Sequence, residues 1–317
     1  MRKLFFYFST IIHTLMVLYS CTKEVRIDIP KEEPKLVVDA RIEKGGFPTV
    51  LLMQSQYLYN LTNLDAYFSS NISDATVTLV RGLDTFTLSP YFISELPMQS
   101  QITLAEQLNV ELNELAFFPL KVYSSLDPNL VGAVGQTYTL NIQYNSQTYS
   151  ATTKLLSPIA LDNFQWIPSA ENNQFGVCRA FLTDPANAKN AYRWESKIIT
   201  TVNGSPKDYR FRHSGGSYFD DQFFNGLSIN FETRYPEKDN SYPEEFNRHF
   251  KYSDSLVIKL SHIEYPVYNY FDKLRTQLEN SGSPFSSPVL MPSNFSNGAL
   301  GVWAGYSSWY DTLVCLP

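Results

Sequence analysis

Short runs in which apolar and polar side chains alternate, separated by turn-forming residues, recur along this chain of 317 residues and commit it to a mainly β architecture. Leu36, Val38, Ala40 and Ile42 fall on one side of the first run, and Val37, Asp39, Arg41 and Glu43 on the other. That is the pattern of a strand with one face in a core and one in water. Gly45-Gly46 turns the chain, and Thr49 to Met53 returns as its hairpin partner. Ala75 to Val80 and Thr85 to Leu88 flank Gly82 and Asp84 as a second hairpin. Tyr138, Leu140, Ile142 and Tyr144 alternate, Asn145-Ser146-Gln147 turns, and Tyr149, Ala151 and Thr153 alternate again. The 21 tyrosines and 22 phenylalanines strengthen this reading, because aromatic side chains favour half-buried pleated surfaces.

A single core seldom grows past roughly 250 residues, so the length favours two domains. The break is expected after Lys154, at Pro158, giving an N-terminal β-sandwich over 35–157 and a C-terminal β-rich, sandwich- or barrel-like domain over 158–317. Strand candidates in the second are Phe175 to Leu182, Tyr192 to Val202, Leu227 to Thr233 and Ser255 to Ser261, with Gly301 to Tyr306 and Thr312 to Cys315 as closing strands. Tyr265, Tyr268, Leu274 and Leu278 repeat at helical spacing, which predicts one helix near 264–280, with Pro266 tolerated in its first turn. Pro90 to Leu130 is less regular, and its Leu104 to Leu115 part reads equally as a short helix or a long loop.

The first 20 residues have the layout of a secretory signal: Arg2 and Lys3, an apolar stretch from Leu4 to Leu18, then small Ser20. Leu18-Tyr19-Ser20-Cys21 resembles the lipobox of bacterial lipoproteins, in which the cysteine thiol is linked to diacylglycerol. Cleavage before Cys21 and acylation there would give a stable anchor, since two or more chains hold where one does not. The following stretch through Pro34 carries Lys23, Glu24, Lys31, Glu32 and Glu33 between prolines, as a solvated tether does. The alternatives are a plain cleaved signal or an uncleaved anchor helix. Without Arg2 and Lys3 the chain keeps 23 basic against 31 acidic side chains, a net of −8 that repels nucleic acid phosphates.

No arrangement of residues here spells out catalysis, so no catalytic residue, metal site or cofactor is expected. After residue 20 the histidines are His213, His249 and His262, without metal-ligand spacing. Asp184 and Asp220-Asp221 beside Ser217 and Tyr218 offer oxygen ligands for calcium, but such pairs also form turns. His213-Ser214-Gly215-Gly216-Ser217 is the nearest approach to a nucleophile elbow, and it reads more simply as a turning loop. Cys178 and Cys315 fall in the first and last strands of the second domain, where they either pair as a structural disulfide or stay as buried thiols. Trp303, Tyr306, Trp309 and Tyr310 form an aromatic run that would anchor a partner or ligand if exposed, and would fill a core otherwise.

Several segments recur in an order that resembles a known family. Pro34-Lys35-Leu36-Val37-Val38 after the lipobox, the Tyr138 to Thr153 hairpin, Asp184-Pro185 with Asn190-Ala191-Tyr192-Arg193, and Asp220-Asp221 with Phe224-Asn225-Gly226 lead to the last group. That group is Pro284-Phe285 with Pro288, Ser293-Asn294, and Asn297-Gly298-Ala299-Leu300-Gly301-Val302-Trp303-Ala304-Gly305-Tyr306. Together they resemble the Bacteroidota lipoprotein family catalogued as domain of unknown function 4249. Ser283 stands where that family usually has asparagine, and Ala299 interrupts its usual Asn-Gly-Leu-Gly run. The resemblance implies an outer-membrane lipoprotein, commonly encoded beside TonB-dependent transporters, and Lys23 and Glu24 soon after Cys21 resemble a surface-export signal, which favours the cell surface over the periplasmic face. The expected function is then a non-enzymatic accessory partner of such a β-barrel in nutrient uptake. A structural or assembly component of an envelope complex is the alternative, and a surface hydrolase the third.

Overall fold

The computed structural model describes residues 33–56, 63–186, 188–280 and 290–316. The signal segment, Cys21, most of the tether, Ser283 and Pro284-Phe285 with Pro288 lie outside them. The protein is mainly β. Its strands are β1 (Leu36–Glu43), β2 (Thr49–Gln54), β3 (Thr76–Arg81), β4 (Asp84–Phe92), β5 (Lys121–Ser124), β6 (Thr137–Tyr144), β7 (Gln147–Lys154) and β8 (Asn163–Pro168). There follow β9 (Phe175–Thr183), β10 (Ala191–Ile198), β11 (Thr201–Val202), β12 (Ser205–Pro206), β13 (Tyr218–Asp220), β14 (Ser228–Thr233), β15 (Phe250–Lys251), β16 (Ser255–Ile263) and β17 (Leu300–Val314). The α-helices are α1 (Leu64–Ser69), α2 (Met98–Leu108), α3 (Leu112–Leu115) and α4 (Tyr265–Asn280).

Eleven strands form one sheet in the order β13-β10-β16-β17-β1-β2-β5-β4-β3-β6-β7. β17 lies parallel to β1, with Val38 beside Gly301 and Ala40 beside Trp303, and antiparallel to β16 on its other side. The β1-to-β7 part encloses the first core, built from Val38, Ile42, Leu52, Leu79, Tyr138 and Leu140 around Trp303. Here β7 returns to β17, so closely that a Cβ on Gly305 would stand 2.9 Å from Thr153 Oγ1. A second sheet, β8-β9-β14 with β15, covers the far part of the first. Tyr192, Trp194, Ile258 and Leu260 from one sheet meet Phe164, Cys178, Ala180 and Leu182 from the other in a sandwich core.

The division into two domains at residue 158 is not confirmed: Pro34–Pro317 forms one compact unit. The reason is β17, expected as two short closing strands and found as one of 15 residues. Its first half supplies Trp303 to the first core, and Trp309 and Leu313 near its end pack on the second. The expected helix is α4, whose Val267, Tyr268, Tyr270 and Phe271 pack over Ile263, Val302 and Tyr306. Residues 104–115 resolve into the end of α2, a left-handed Asn109 and α3. Among the described residues no helix is long and apolar enough to cross a membrane.

Candidate functional site

The alternate face of β1 is largely covered, with Arg41 buried and Val37, Asp39 and Glu43 half-buried. Arg41 is buried, and its guanidinium pairs with Glu43 and, at 3.3 Å, with Glu106 of α2. The same side of β16 and β10 adds Lys259, Arg193 and Glu195. Lys259 Nζ lies 3.2 Å from Glu43, 3.4 Å from Glu106 and 3.3 Å from Glu195, with its side chain only 1% exposed. Arg193 pairs with Glu195 at 3.0 Å. Three cations and three carboxylates thus form a charge-balanced layer sealed on the sheet by α2 and by residues 207–213. Tyr306 stands between two guanidiniums, 5.1 Å from that of Arg41 and 5.3 Å from that of Arg193, and Phe211 caps Lys259 at 5.1 Å.

Burial disfavours every charge here, and the partners decide the outcome. Arg41 and Lys259 overcome burial at Glu43 and bring its carboxyl down to about 2, while Glu106, Glu195 and Glu43 hold the Lys259 ammonium above its ordinary range. For Asp39, on the same face of β1, burial wins and the carboxyl rises to about 6. Burial and the nearby Arg193 push His213 down to about 3. The 207–213 segment is clamped in turn: Arg212 reaches Glu111 at 2.8 Å, Glu237 at 2.5 Å and Asp208 at 2.6 Å, and Phe211 N donates to Glu106.

The family motifs are spent on similar ties. Asp184 accepts from the Tyr192 hydroxyl, from Asn190 Nδ2 and from Gly226 N, and Asp221 accepts from Asn190 N at 2.7 Å. Asp184 and Asp221 are buried acceptors in one knot that joins the β9–β10 and β13–β14 connections, where they already have their donors. Asn294 both accepts from Trp303 N at 2.9 Å and donates to its carbonyl at 2.8 Å. Among the described residues no group of three or more His, Cys, Asp or Glu could hold a metal ion.

Of the aromatic run, Trp303 and Tyr306 are not available to a partner. Trp303 is 0% exposed and donates its indole N–H to Tyr138 O; the Tyr306 hydroxyl lies 3.2 Å from that of Tyr218. They are buried because β17 runs through the middle of the sheet instead of along an edge. Trp309 is half-buried against the second core, and Tyr310 is exposed. Cys178 and Cys315 are free thiols in that same core; burial, and then the neighbouring Cys315, push the Cys178 thiol far up.

The feature with room for a ligand is one the sequence did not announce. β10 is paired by β13 over Ala191–Arg193 and bridged again at Ser196 to Arg212, so its edge is open at Trp194. Opposite lies β14, an edge of the second sheet. Between the two edges is a cavity of about 240 Å³ walled by Trp194, Phe219, Phe231 and Tyr235 and arched by Ser214–Ser217. Phe231 meets Trp194 edge to face at 5.4 Å and Phe219 at 5.5 Å. Trp194 and Thr233 are 6% and 8% exposed, and their Nε1 and Oγ1, which have no hydrogen-bond partner, are buried behind the cavity wall and not open to it. Arg234 and Arg248 also line the cavity and are exposed, which puts them at its rim. Ser214 and Ser217 cap their own 3-10 turn, with Ser214 N donating to Ser217 Oγ at 2.8 Å, and are not arranged with His213 as nucleophile and base.

A search of curated proteins finds no match to this chain. The family that does match spans residues 22–309, covering the ion layer, the first core, most of the second and the cavity. The chain therefore belongs to the family described as Domain of unknown function (DUF4249).

Proposed function

We propose that this chain is a non-enzymatic accessory lipoprotein of the outer membrane, anchored through Cys21 and displayed at the cell surface. It works beside a β-barrel transporter of the TonB-dependent kind and holds a small solute for uptake. The observation that carries the solute-holding part is the cavity between the edges of β10 and β14, with its aromatic walls and two arginines at its rim. Concave, mostly apolar sites with a few fixed polar groups are what small molecules bind. The lipobox-like Leu18-Tyr19-Ser20-Cys21 supports the anchor. The partner rests on the chain's resemblance to a family commonly encoded beside such transporters.

The test is to solubilise the outer membrane of the native organism, recover the protein through a C-terminal tag and identify its companions by mass spectrometry. One β-barrel transporter in near-equal amount is the expected result. Assembly machinery, or no companion, would overturn the transporter partnership. It would then favour a structural role, a reading supported by the number of family motif residues engaged in holding strands together.

A further inference from the structure

We infer that the cavity between β10 and β14 takes a monocyclic organic acid, its ring against Phe231 and Phe219 and its carboxylate on Arg234 and Arg248. The inference rests on the solute-binding part of the function proposed above and names the class of solute.

Size comes first. A volume of about 240 Å³ is below the range of drug-sized sites and equals the liquid volume of roughly eight waters, which suits one six-membered ring with a substituent. Aromatic walls suit a ring because sugar and aromatic faces both pack on them.

Charge decides between neutral and acidic ligands. The chain is acidic overall, yet two exposed arginines line this one cavity. Arg234 forms no ion pair among the described residues, and Arg248 spends one N–H on Pro236 O at 2.9 Å. The carboxylate on the cavity wall, Glu232, is taken by Arg179 at 2.5 Å on the neighbouring strand, leaving the rim net positive. A guanidinium presents paired N–H donors in the plane that a carboxylate matches, which a neutral alcohol cannot exploit.

The full-length protein, purified in detergent, would be titrated by calorimetry with D-glucuronate and with benzoate, each beside its neutral counterpart, D-glucose and benzyl alcohol. At least one acid should bind roughly tenfold or more tightly than its neutral partner, the difference one charge-assisted hydrogen bond supplies. Arg234→Ala and Arg248→Ala should each remove most of that preference without changing the circular dichroism spectrum. Both arginines are exposed, so their loss leaves the fold intact. Equal binding of acid and neutral partner, an acid preference that survives the double arginine variant, or no binding of either acid would each overturn the inference. Binding of the neutral compounds alone would keep solute capture and remove the acid. Binding of none of the four compounds, with a transporter still recovered in the pull-down, would keep the partnership and remove both.

Discussion

Lys259 holds three carboxylates together in a place water does not reach. Removing one member of such a set leaves uncompensated buried charge, which costs far more than the set contributes over an apolar packing. Lys259→Met should lower the unfolding free energy by about 3–5 kcal/mol, and adding Glu195→Gln should restore part of that loss, since the two share a contact. Chemical denaturation of the two single variants and the double variant measures it. Asp39 and His213 make opposite demands on pH. The folded carboxyl of Asp39, raised to about 6, binds a proton that the unfolded chain has already released, so its contribution to stability falls as pH rises from about 4 to 6. His213, held down to about 3, is protonated first in the unfolded chain, so its contribution rises between about 3 and 6.5. The two partly cancel in the native protein, and only a difference isolates either. Asp39→Asn should be the more stable protein at pH 7, by on the order of 1 kcal/mol, with the gain shrinking toward pH 4. Stability curves at pH 4, 5, 6 and 7 check the sign; a gain that grows on acidification would refute it. None of this was legible in the sequence, because Asp39, Arg41 and Glu43 alternate with apolar residues as a solvated face does. Their neighbours on that face come from residues 193–195 and 259, and nothing local announces them.

At the scale of elements, legibility followed the source of the pattern. α4 was readable because apolar and aromatic residues recur at helical spacing, although of the four that carried the pattern only Tyr268 packs on the core and Tyr265 and Leu278 are exposed. α2 was not, because Ser100, Thr103 and Glu106 are among the residues it buries, so the usual apolar stripe is missing. β17 read as two strands because Ser307-Ser308 sits in its middle, and both serines are buried between neighbouring strands. The cavity has walls drawn from Trp194, Phe219 and Phe231, each on a strand edge and none in a shared motif. The glycine motif, by contrast, now has a mechanical explanation. Gly301 sits at φ +109°, and a Cβ there would stand 1.9 Å from Val38 O, inside the parallel pairing of β17 with β1. Gly301→Ala must therefore shift one strand off the other, with a cost of about 3 kcal/mol or more from strain and lost pairing. Little soluble protein should accumulate, and what does should melt well below the native chain; an unchanged melting temperature would show that the register tolerates a side chain.

The whole molecule behaves as one object because its ties cross the expected boundary at residue 158. β1 pairs with β17, Glu43 and Glu106 meet Lys259, and Glu111 meets Arg210 and Arg212. Unfolding of residues 34–317 should accordingly show one transition, coincident by far-ultraviolet circular dichroism and tryptophan fluorescence, and the separate pieces 34–157 and 158–317 should each fail to fold. Two resolved transitions, or an independently folded piece, would contradict this. The pairing of β1 with β17 also bears on time. The strand that completes the centre of the sheet is read out last, some 260 residues after its neighbour, and closing so long a loop makes folding slow. Until residue 306 has emerged from the ribosome, β1 has a bare side and the first core lacks its tryptophan. The chain therefore waits, incomplete and dependent on protection from its surroundings, until its final strand arrives.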